Sequence, residues 1–285
     1  MMRTWPSILR RKHELNESSV LWDTAVIMTL GIPIFIVITI FDSTLVNDEL
    51  RWIKPLKFFA SIAIYSITIE WIYRVFQKEE TLTVFNRFRW IIGAGGASEA
   101  ILITLQAARG VQSHFNVGTP LDLAIFSAMG IIITIVVSTA FVSLYFIWKA
   151  RKQAPRVYFE AIIYGGLIMT IASFQGFAMT SPTPEQLEAF ESGSPVIIAG
   201  SHFVGDLPQT KHATLPFTGW SLEIGDLRIS HFIGLHALQF LIVSAFLIHR
   251  FKIPIPNTAI RIVAASYCGL FVFSFLQAQS GQFLF

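Results

Sequence analysis

The 285-residue chain is 53% hydrophobic and only 14% charged, with a mean hydropathy of +0.60. Soluble domains carry about 25% charged residues, so this composition excludes an ordinary soluble protein and indicates a membrane protein. A lone cysteine, Cys268, excludes an intrachain disulfide and a cysteine metal cage. The net charge of +3 comes from Lys and Arg placed between hydrophobic runs, and we therefore expect no nucleic-acid partner.

Long apolar runs recur along the chain, and a helix needs about 20 apolar residues to cross a bilayer. Lipid offers no partner to backbone polar groups, so the runs predict helices rather than strands. The sequence therefore predicts an all-α bundle of seven transmembrane helices, and the first run is too long for a cleaved signal peptide. The runs are Val20 to Phe41, Pro55 to Phe76, Trp90 to Ala108, Leu121 to Trp148, Val157 to Met179, Ile229 to His249 and Ala259 to Ala278.

Basic residues set the predicted orientation, since cytoplasmic loops are enriched in Lys and Arg. Fifteen of the 21 fall on the side of the N-terminus, which predicts an inside N-terminus and an outside C-terminus in a bacterial inner membrane. A basic cytoplasmic tail is expected over 1–19, and one membrane domain over 20–285 that includes an outer loop over 180–228. The six basic residues assigned to the outer side are Arg51, Lys54, Lys57, Arg109, Lys211 and Arg228.

The outer loop between the fifth and sixth helices is too long to be a simple connection and carries its own helix signal. Thr183, Pro184 and Gln186 form the pattern of an N-cap, a first-turn proline and a capping-box partner, which predicts a short surface helix. The stretch from Ser201 to Ser230 predicts an ordered irregular loop. No tandem repeat or matching pair of broken helices is evident, which counts against an inverted-repeat transporter.

Carboxylates inside the predicted spans require an explanation, because a charge at mid-membrane costs about 2.5 to 3.5 kcal/mol. Glu70 and Arg74 are four residues apart and predict an ion pair near the inner face. Glu99 lies near the bilayer centre, with Gln106 two turns further out on the same helix face and Arg109 at the outer end. Glu99 is either a proton-carrying group or cavity floor, or a buried carboxyl that fixes helix packing.

The start of the sixth helix concentrates polar residues. Asp226 is suited either to capping the helix or to chemistry, and Arg228 fits this position only if it binds an anion or a carboxylate. His231 and His236 are five residues apart, about 140° around the helix, and so do not form an i,i+4 metal pair. A transition-metal site would need them to converge with loop histidines such as His202, His212 or His114.

Together these residues predict a polar pocket open to the outer side. Candidate catalytic residues are Glu99, Asp226, Arg228, His231 and His236. Candidate metal ligands are His202, His231 and His236. Candidate residues for binding a small molecule or ion are Lys57, Gln106, Arg109, Gln175, Gln239 and Gln277.

Three classes of function remain open. A small membrane enzyme or a metal- or redox-linked binding protein explains the His, Arg and Asp residues on one side. A proton-coupled transporter would use Glu99, and a noncatalytic assembly or sensor subunit would need the buried charges only for packing.

The sequence does not identify a cofactor. Haem is disfavoured because only the sixth helix has histidines well inside its run, so a second haem ligand would have to come from a loop or from Met179. The seventh helix has no lysine for retinal.

Three segments are distinctive: WIKPLKF at Trp52 to Phe58, QAARGVQSHFN at Gln106 to Asn116, and GWSLEIGDLRISHFIGLHALQ at Gly219 to Gln239. In these segments the chain resembles a family of bacterial polytopic inner-membrane proteins without an assigned activity. The resemblance extends over most of the chain and implies a bacterial inner-membrane location. It implies no catalytic residues.

Overall fold

The structure is a computed structural model that describes residues 19–47, 49–205 and 213–284. The described residues are mostly helical. Their helices are α1 Val20–Phe41, α2 Ile53–Phe76, α3 Glu79–Ala108, α4 Pro120–Lys149, α5 Arg156–Gln175, α6 Pro184–Glu191, α7 Leu227–Leu235, α8 Ala237–Arg250 and α9 Pro256–Gln279. The predicted basic tail, apart from Ser19, lies outside the described residues, as do Lys211 and His212.

Six of these helices are long and apolar enough to cross a membrane, and the number is seven if α7 and α8 together form one span. The predicted runs coincide with these helices, except that the last residues of the fifth run, 176–179, form a 3-10 helix after α5 and that His236 lies between α7 and α8; the helical membrane class is confirmed. The sixth run is not one straight helix, because α7 and α8 meet at His236 with a bend of 45°. Tyr267 of α9 donates a hydrogen bond to the carbonyl of Ile233 at 2.7 Å, one turn before the bend.

The helices alternate in direction, and the connections differ at the two ends of the bundle. The long-loop end comprises residues 42–47, 49–52, 109–119, 176–205, 213–226 and 280–284. The short-loop end comprises residues 77–78, 150–155 and 251–255.

The long loop contains the surface helix that the sequence predicts. Thr183 caps α6 and Gln186 completes the capping box, with Pro184 in the first turn. Beyond α6, two short strands were not predicted: β3, Phe203–Val204, pairs antiparallel with β4, Gly225–Asp226. These strands hold the chain against the end of α9, since Gly225 donates a backbone hydrogen bond to Gly281 at 3.0 Å.

A second pair of short strands closes the turn between α1 and α2. Leu45–Val46 and Glu49–Leu50 pair antiparallel, and we number them β1 and β2. The hairpin lies against the end of α3, where Arg51 reaches the carbonyl of Ala108 at 3.4 Å. Neither pair of strands has the length or alternation that predicts a strand, so the all-α prediction omitted both.

The largest buried apolar cluster joins six helices, α1 to α5 and α8. At its centre the rings of Tyr73 and Phe85 stack 4.6 Å apart and nearly parallel. Two glycines of α3 lie in close helix contacts: a Cβ on Gly95 would come within 2.4 Å of Val136 on α4, and one on Gly93 within 2.8 Å of Val20 on α1.

Two buried carboxylates near the short-loop end are each paired with two arginines. Glu70 accepts hydrogen bonds from Arg74 at 2.5 Å and from Arg89 at 2.8 Å, which confirms the predicted i,i+4 pair and adds a partner from α3. Glu160 of α5 accepts hydrogen bonds from Arg156 and from Arg261 of α9. These pairs join α2 to α3 and α5 to α9.

Replacing Gly165 with alanine tests the contact between α5 and α8. A Cβ at this position would lie 2.7 Å from the Leu238 Cα, and backbone cannot move aside cheaply. We expect Gly165→Ala to destabilise the protein by about 1–3 kcal/mol, as overpacking does. Thermal unfolding in detergent measures this. The control is Gly130→Ala, where a Cβ meets nothing within 4 Å; equal losses in both variants would contradict the close contact.

Candidate functional site at the long-loop end

Asp226 and Arg228 form a largely buried ion pair at the long-loop end. Asp226 is fully buried and accepts hydrogen bonds from the backbone of Ser221 and Arg228, both at 3.0 Å, so it caps α7, which is one of the two roles that the sequence left open. The Arg228 guanidinium bonds both oxygens of Asp226 and donates to the carbonyl of Gly219 at 2.6 Å. Arg228 therefore has the carboxylate partner that its position required.

A second network joins the end of α3 to the start of α4. Gln106 donates to Asp122 at 2.9 Å, and Arg109 pairs with the same carboxylate at 2.6 Å. Thr119, the N-cap of α4, also donates to Asp122 at 2.6 Å. The sequence predicts Gln106 and Arg109 as ligand-binding residues, and the structure shows that both are bonded to Asp122.

The β1–β2 hairpin carries two more charged contacts. Asp42 accepts hydrogen bonds from Arg51 and from Trp52, and hydrogen bonds from Thr44 and Trp52 hold the pKa of its carboxyl well below the usual range. Lys57 on the first turns of α2 forms an ion pair with Glu49. Lys57 also donates to the carbonyl of Thr218 at 3.3 Å, which connects the hairpin to the long loop.

Two loop histidines and one helical histidine come close together at this end. The rings of His202 and Phe115 meet edge to face with centroids 4.8 Å apart, and His114 precedes Phe115 in the chain. His114 contacts the hydroxyl of Ser113 at 3.0 Å, and His202 lies 3.4 Å from the sulfur of Met179. His231 contacts the carbonyl of Ala172 at 2.7 Å through Nδ1.

The electrostatics of the loop histidines keep their imidazoles neutral. Burial lowers the pKa of His114 well below the usual range, and the positive charge of Lys54 lowers it further. Burial also lowers the pKa of His202, and the charges of Arg228 and then of Lys54 add to the effect. Lys54, Arg228 and these two imidazoles therefore lie within electrostatic reach of one another.

We name Lys54, His114, His202, Arg228 and His231 the basic–histidine cluster. Three of these side chains were candidate site residues from sequence, and His114 was named as a loop histidine that could join them. Lys54 was assigned to the outer side but was not recognised as a site residue. The signal that could have identified it is the lysine pair Lys54 and Lys57, three residues apart on the first turn of a membrane helix.

Other predicted residues lie apart from the cluster. His236 marks the bend between α7 and α8, where its ring packs on Phe232 at 4.4 Å. Gln175 bonds Ser230 at 2.8 Å and so fastens α5 to α7. Gln277 donates to the carbonyl of Gln282 at 2.6 Å near the surface, and the buried Oε1 of Gln239 has no hydrogen-bond partner among the described residues.

The predicted metal ligands do not converge. His202, His231 and His236 contact a methionine sulfur, a backbone carbonyl and a phenylalanine ring, respectively. Within 19–47, 49–205 and 213–284, no group of three or more His, Cys, Asp or Glu side chains is placed to hold a metal ion. The geometry of the described residues gives the metal hypothesis no support.

Glu99 lies well inside the bundle, away from the long-loop end. Its side chain is buried, and its Oε1 has no hydrogen-bond partner in the described part of the chain. Gln106 lies on the same helix face, seven residues or about 10 Å nearer the long-loop end. The predicted polar stripe on α3 therefore exists, but Glu99 and Gln106 are not in contact with a common partner.

Comparison with known proteins identifies no relative: no family model, no curated protein and no solved structure matches the chain.

Replacing Asp226 with asparagine tests the importance of the contact with Arg228. The variant removes the charge that balances a largely buried guanidinium, and hydrogen bonds to charged groups contribute about 1.5–3 kcal/mol. We expect Asp226→Asn to lower the free energy of unfolding by this amount in a chemical denaturation series. The exposed Glu191→Gln is the control. Unchanged stability of Asp226→Asn would contradict the role assigned to this pair.

The lowered pKa values of His114 and His202 predict a stability that depends on pH. The unfolded chain takes up protons below about pH 6.5, the usual histidine pKa, whereas the folded chain does not. Stability is therefore present above that pH and is lost as pH falls, by up to about 1.4 kcal/mol per pH unit for each histidine. Thermal unfolding midpoints measured between about pH 7.5 and 5.5 test this.

The control for this pH series is a histidine at the other end of the bundle. The double variant His114→Gln and His202→Gln should show a flatter pH dependence. The variant His249→Gln, which changes a ring packed on Tyr158, should keep the slope of the wild type. A wild-type midpoint that does not fall with pH would contradict the neutral state of the loop imidazoles.

Proposed function

We propose that this chain is a seven-span bacterial inner-membrane protein with its N-terminus in the cytoplasm and its long-loop end outside. The uneven distribution of Lys and Arg supports this orientation. The bend of α7 and α8 is compatible with a single broken span. The resemblance of the segments at Trp52, Gln106 and Gly219 to bacterial polytopic proteins supports the location.

We propose further that the basic–histidine cluster binds an anionic group, a phosphate or carboxylate, of a small-molecule substrate. The observation that carries this proposal is the imbalance of charge. Lys54, Lys57 and Arg228 face Glu49 and Asp226, so one positive charge in this group is unmatched among the described residues. Lys54 forms no hydrogen bond or ion pair with another described residue and is therefore the free cation of the cluster.

The imidazoles give this site a chemical capability beyond binding. His114 and His202 are held neutral by burial and by nearby positive charge, and a neutral imidazole accepts a proton. A bound anion would offset the charges of Lys54 and Arg228 and so favour protonation of both rings. When the anion binds, the two imidazoles beside it gain proton affinity. Acid–base catalysis needs such proton-accepting groups next to the bound substrate. A small membrane enzyme is therefore the proposed class.

Phosphate binding tests the proposed site. Protein in phosphatidylcholine nanodiscs should bind inorganic phosphate saturably in calorimetry. Lys54→Met should weaken binding about tenfold, which corresponds to about 1.4 kcal/mol. Lys152→Met, an exposed lysine of the short-loop end, is the matched control and should bind as the wild type does. If the natural source of the phosphate is a lipid headgroup, nanodiscs that contain phosphatidylglycerol should weaken the binding of free phosphate.

Two results would contradict this proposal. One is wild-type protein that binds phosphate in neither lipid composition. The other is a Lys54→Met variant that loses thermal stability but binds phosphate as the wild type does. The second result would favour a noncatalytic assembly or sensor subunit, in which the polar residues of the long-loop end serve the fold alone.

A further inference from the structure

We propose that Glu99 is a proton-binding site inside the membrane that exchanges its proton with the long-loop end through a gated apolar plug. This inference does not depend on the anion site. It rests on the contacts of Glu99, on what surrounds it and on what separates it from the polar network of Gln106 and Asp122.

Glu99 differs from every other buried carboxylate in the described chain. There are five: Glu70, Glu99, Asp122, Glu160 and Asp226. Four of them form ion pairs with arginine. Glu99 is only 5% exposed and forms no ion pair or hydrogen bond with a described residue, and its Oε1 is completely buried.

The helices around Glu99 bring no opposite charge to it. Helix α3 packs against α1, α2 and α4. The other charged groups of these helices lie towards the ends of the bundle. Near the short-loop end these are Asp23, Glu70, Arg74, Glu79, Glu80, Arg87, Arg89 and Lys149, with Tyr73 beside Arg89; near the long-loop end they are Lys54, Lys57 and Asp122, with Asp42 and Arg109 directly after α1 and α3. Tyr65 is the remaining titratable group of α2 and packs into the central apolar cluster.

The occupant that fits this position is a proton. An ionised carboxylate without a partner in an apolar interior is far less stable than the neutral acid. A hydrated cation would need space, but the adjacent turn of α3 is closely packed: a Cβ on Gly95 would lie 2.4 Å from Val136, and one on Gly96 3.2 Å from Ile62. A proton neutralises Glu99 without needing volume.

An apolar plug separates Glu99 from the long-loop end. One turn beyond Glu99, Ile103 of α3 packs with Ile125 and Met129 of α4, and Phe58 and Leu102 cover the contact. One turn further, Gln106 is bonded to Asp122 in the polar network. Side chains of this kind exclude water when they pack together, and hydrophobic constrictions gate pores by such dewetting. Water that entered between these side chains would connect Glu99 to the polar network of Gln106 and Asp122.

Infrared spectroscopy tests the protonation of Glu99 directly. Protein in nanodiscs at neutral pH should show the C=O stretching band of a protonated carboxyl group, and Glu99→Gln should lose it. The exposed Glu188→Gln is a matched control that should keep the band. A wild-type spectrum without the band, or a band that remains in Glu99→Gln, would overturn the proposal. Helical circular dichroism should be the same for all variants, so that loss of the band is not caused by unfolding.

Hydrogen–deuterium exchange of the same band tests the gate. After transfer to D₂O, Ile103→Ser should shift the band at least about tenfold faster than the wild type, because a hydroxyl admits water to the plug. Ile101→Ser is the matched control. Ile101 is 65% exposed, on the face of α3 that points away from the bundle, and this variant should exchange the proton of Glu99 at the wild-type rate. If Ile103→Ser does not fold, Met129→Ser replaces it. Equal rates in plug and control variants would overturn the gate.

Discussion

Neutralisation of buried carboxylates by arginine is the constraint on which this bundle depends. Charge inside a membrane protein is costly unless it is paired, and a paired charge must come from a neighbouring helix or turn. Glu70 with Arg89 joins α2 to α3, and Glu160 with Arg261 joins α5 to α9. Asp122 with Arg109 does the same for α3 and α4 at the other end. These pairs fix which helices are neighbours, whereas apolar contacts in lipid discriminate less between partners.

The helices could be predicted because their physical signal is local. A run of apolar residues long enough to cross the hydrocarbon can be recognised from consecutive residues of the sequence. The capping box of Thr183 and Gln186 on α6 can be recognised in the same way. The short strands β3 and β4 were missed because their pairing joins residues more than twenty positions apart. The bend at His236 was missed because no proline occurs in α7 or α8 and a single glycine, Gly234, does not by itself predict a bend. A hydrogen bond from Tyr267 of α9 to Ile233 lies beside the bend.

The candidate site could be predicted only in part, for a related reason. Sequence places Arg228, His231 and Gln106 at one end of the bundle, but it does not show which of them have partners. Arg228 and Gln106 prove to be bonded to Asp226 and Asp122, so neither is the free group that a ligand would need. Among the described residues of the cluster, the cation without an ion pair is Lys54. It lies in the first turn of α2, and its proximity to His114 and His202 depends on loops that are distant from it in sequence.

The bend between α7 and α8 divides the sixth predicted run into two helices with different attachments. Helix α7 is fastened to α9 through Tyr267 and to α5 through Gln175 and Ser230, and strand β4 ties its start to the end of α9. Helix α8 packs mainly on α5 below the bend. A displacement of the long loop would therefore act first on α7 and on the ends of α5 and α9 next to that loop, and would reach α8 only through α5, α9 and the bend.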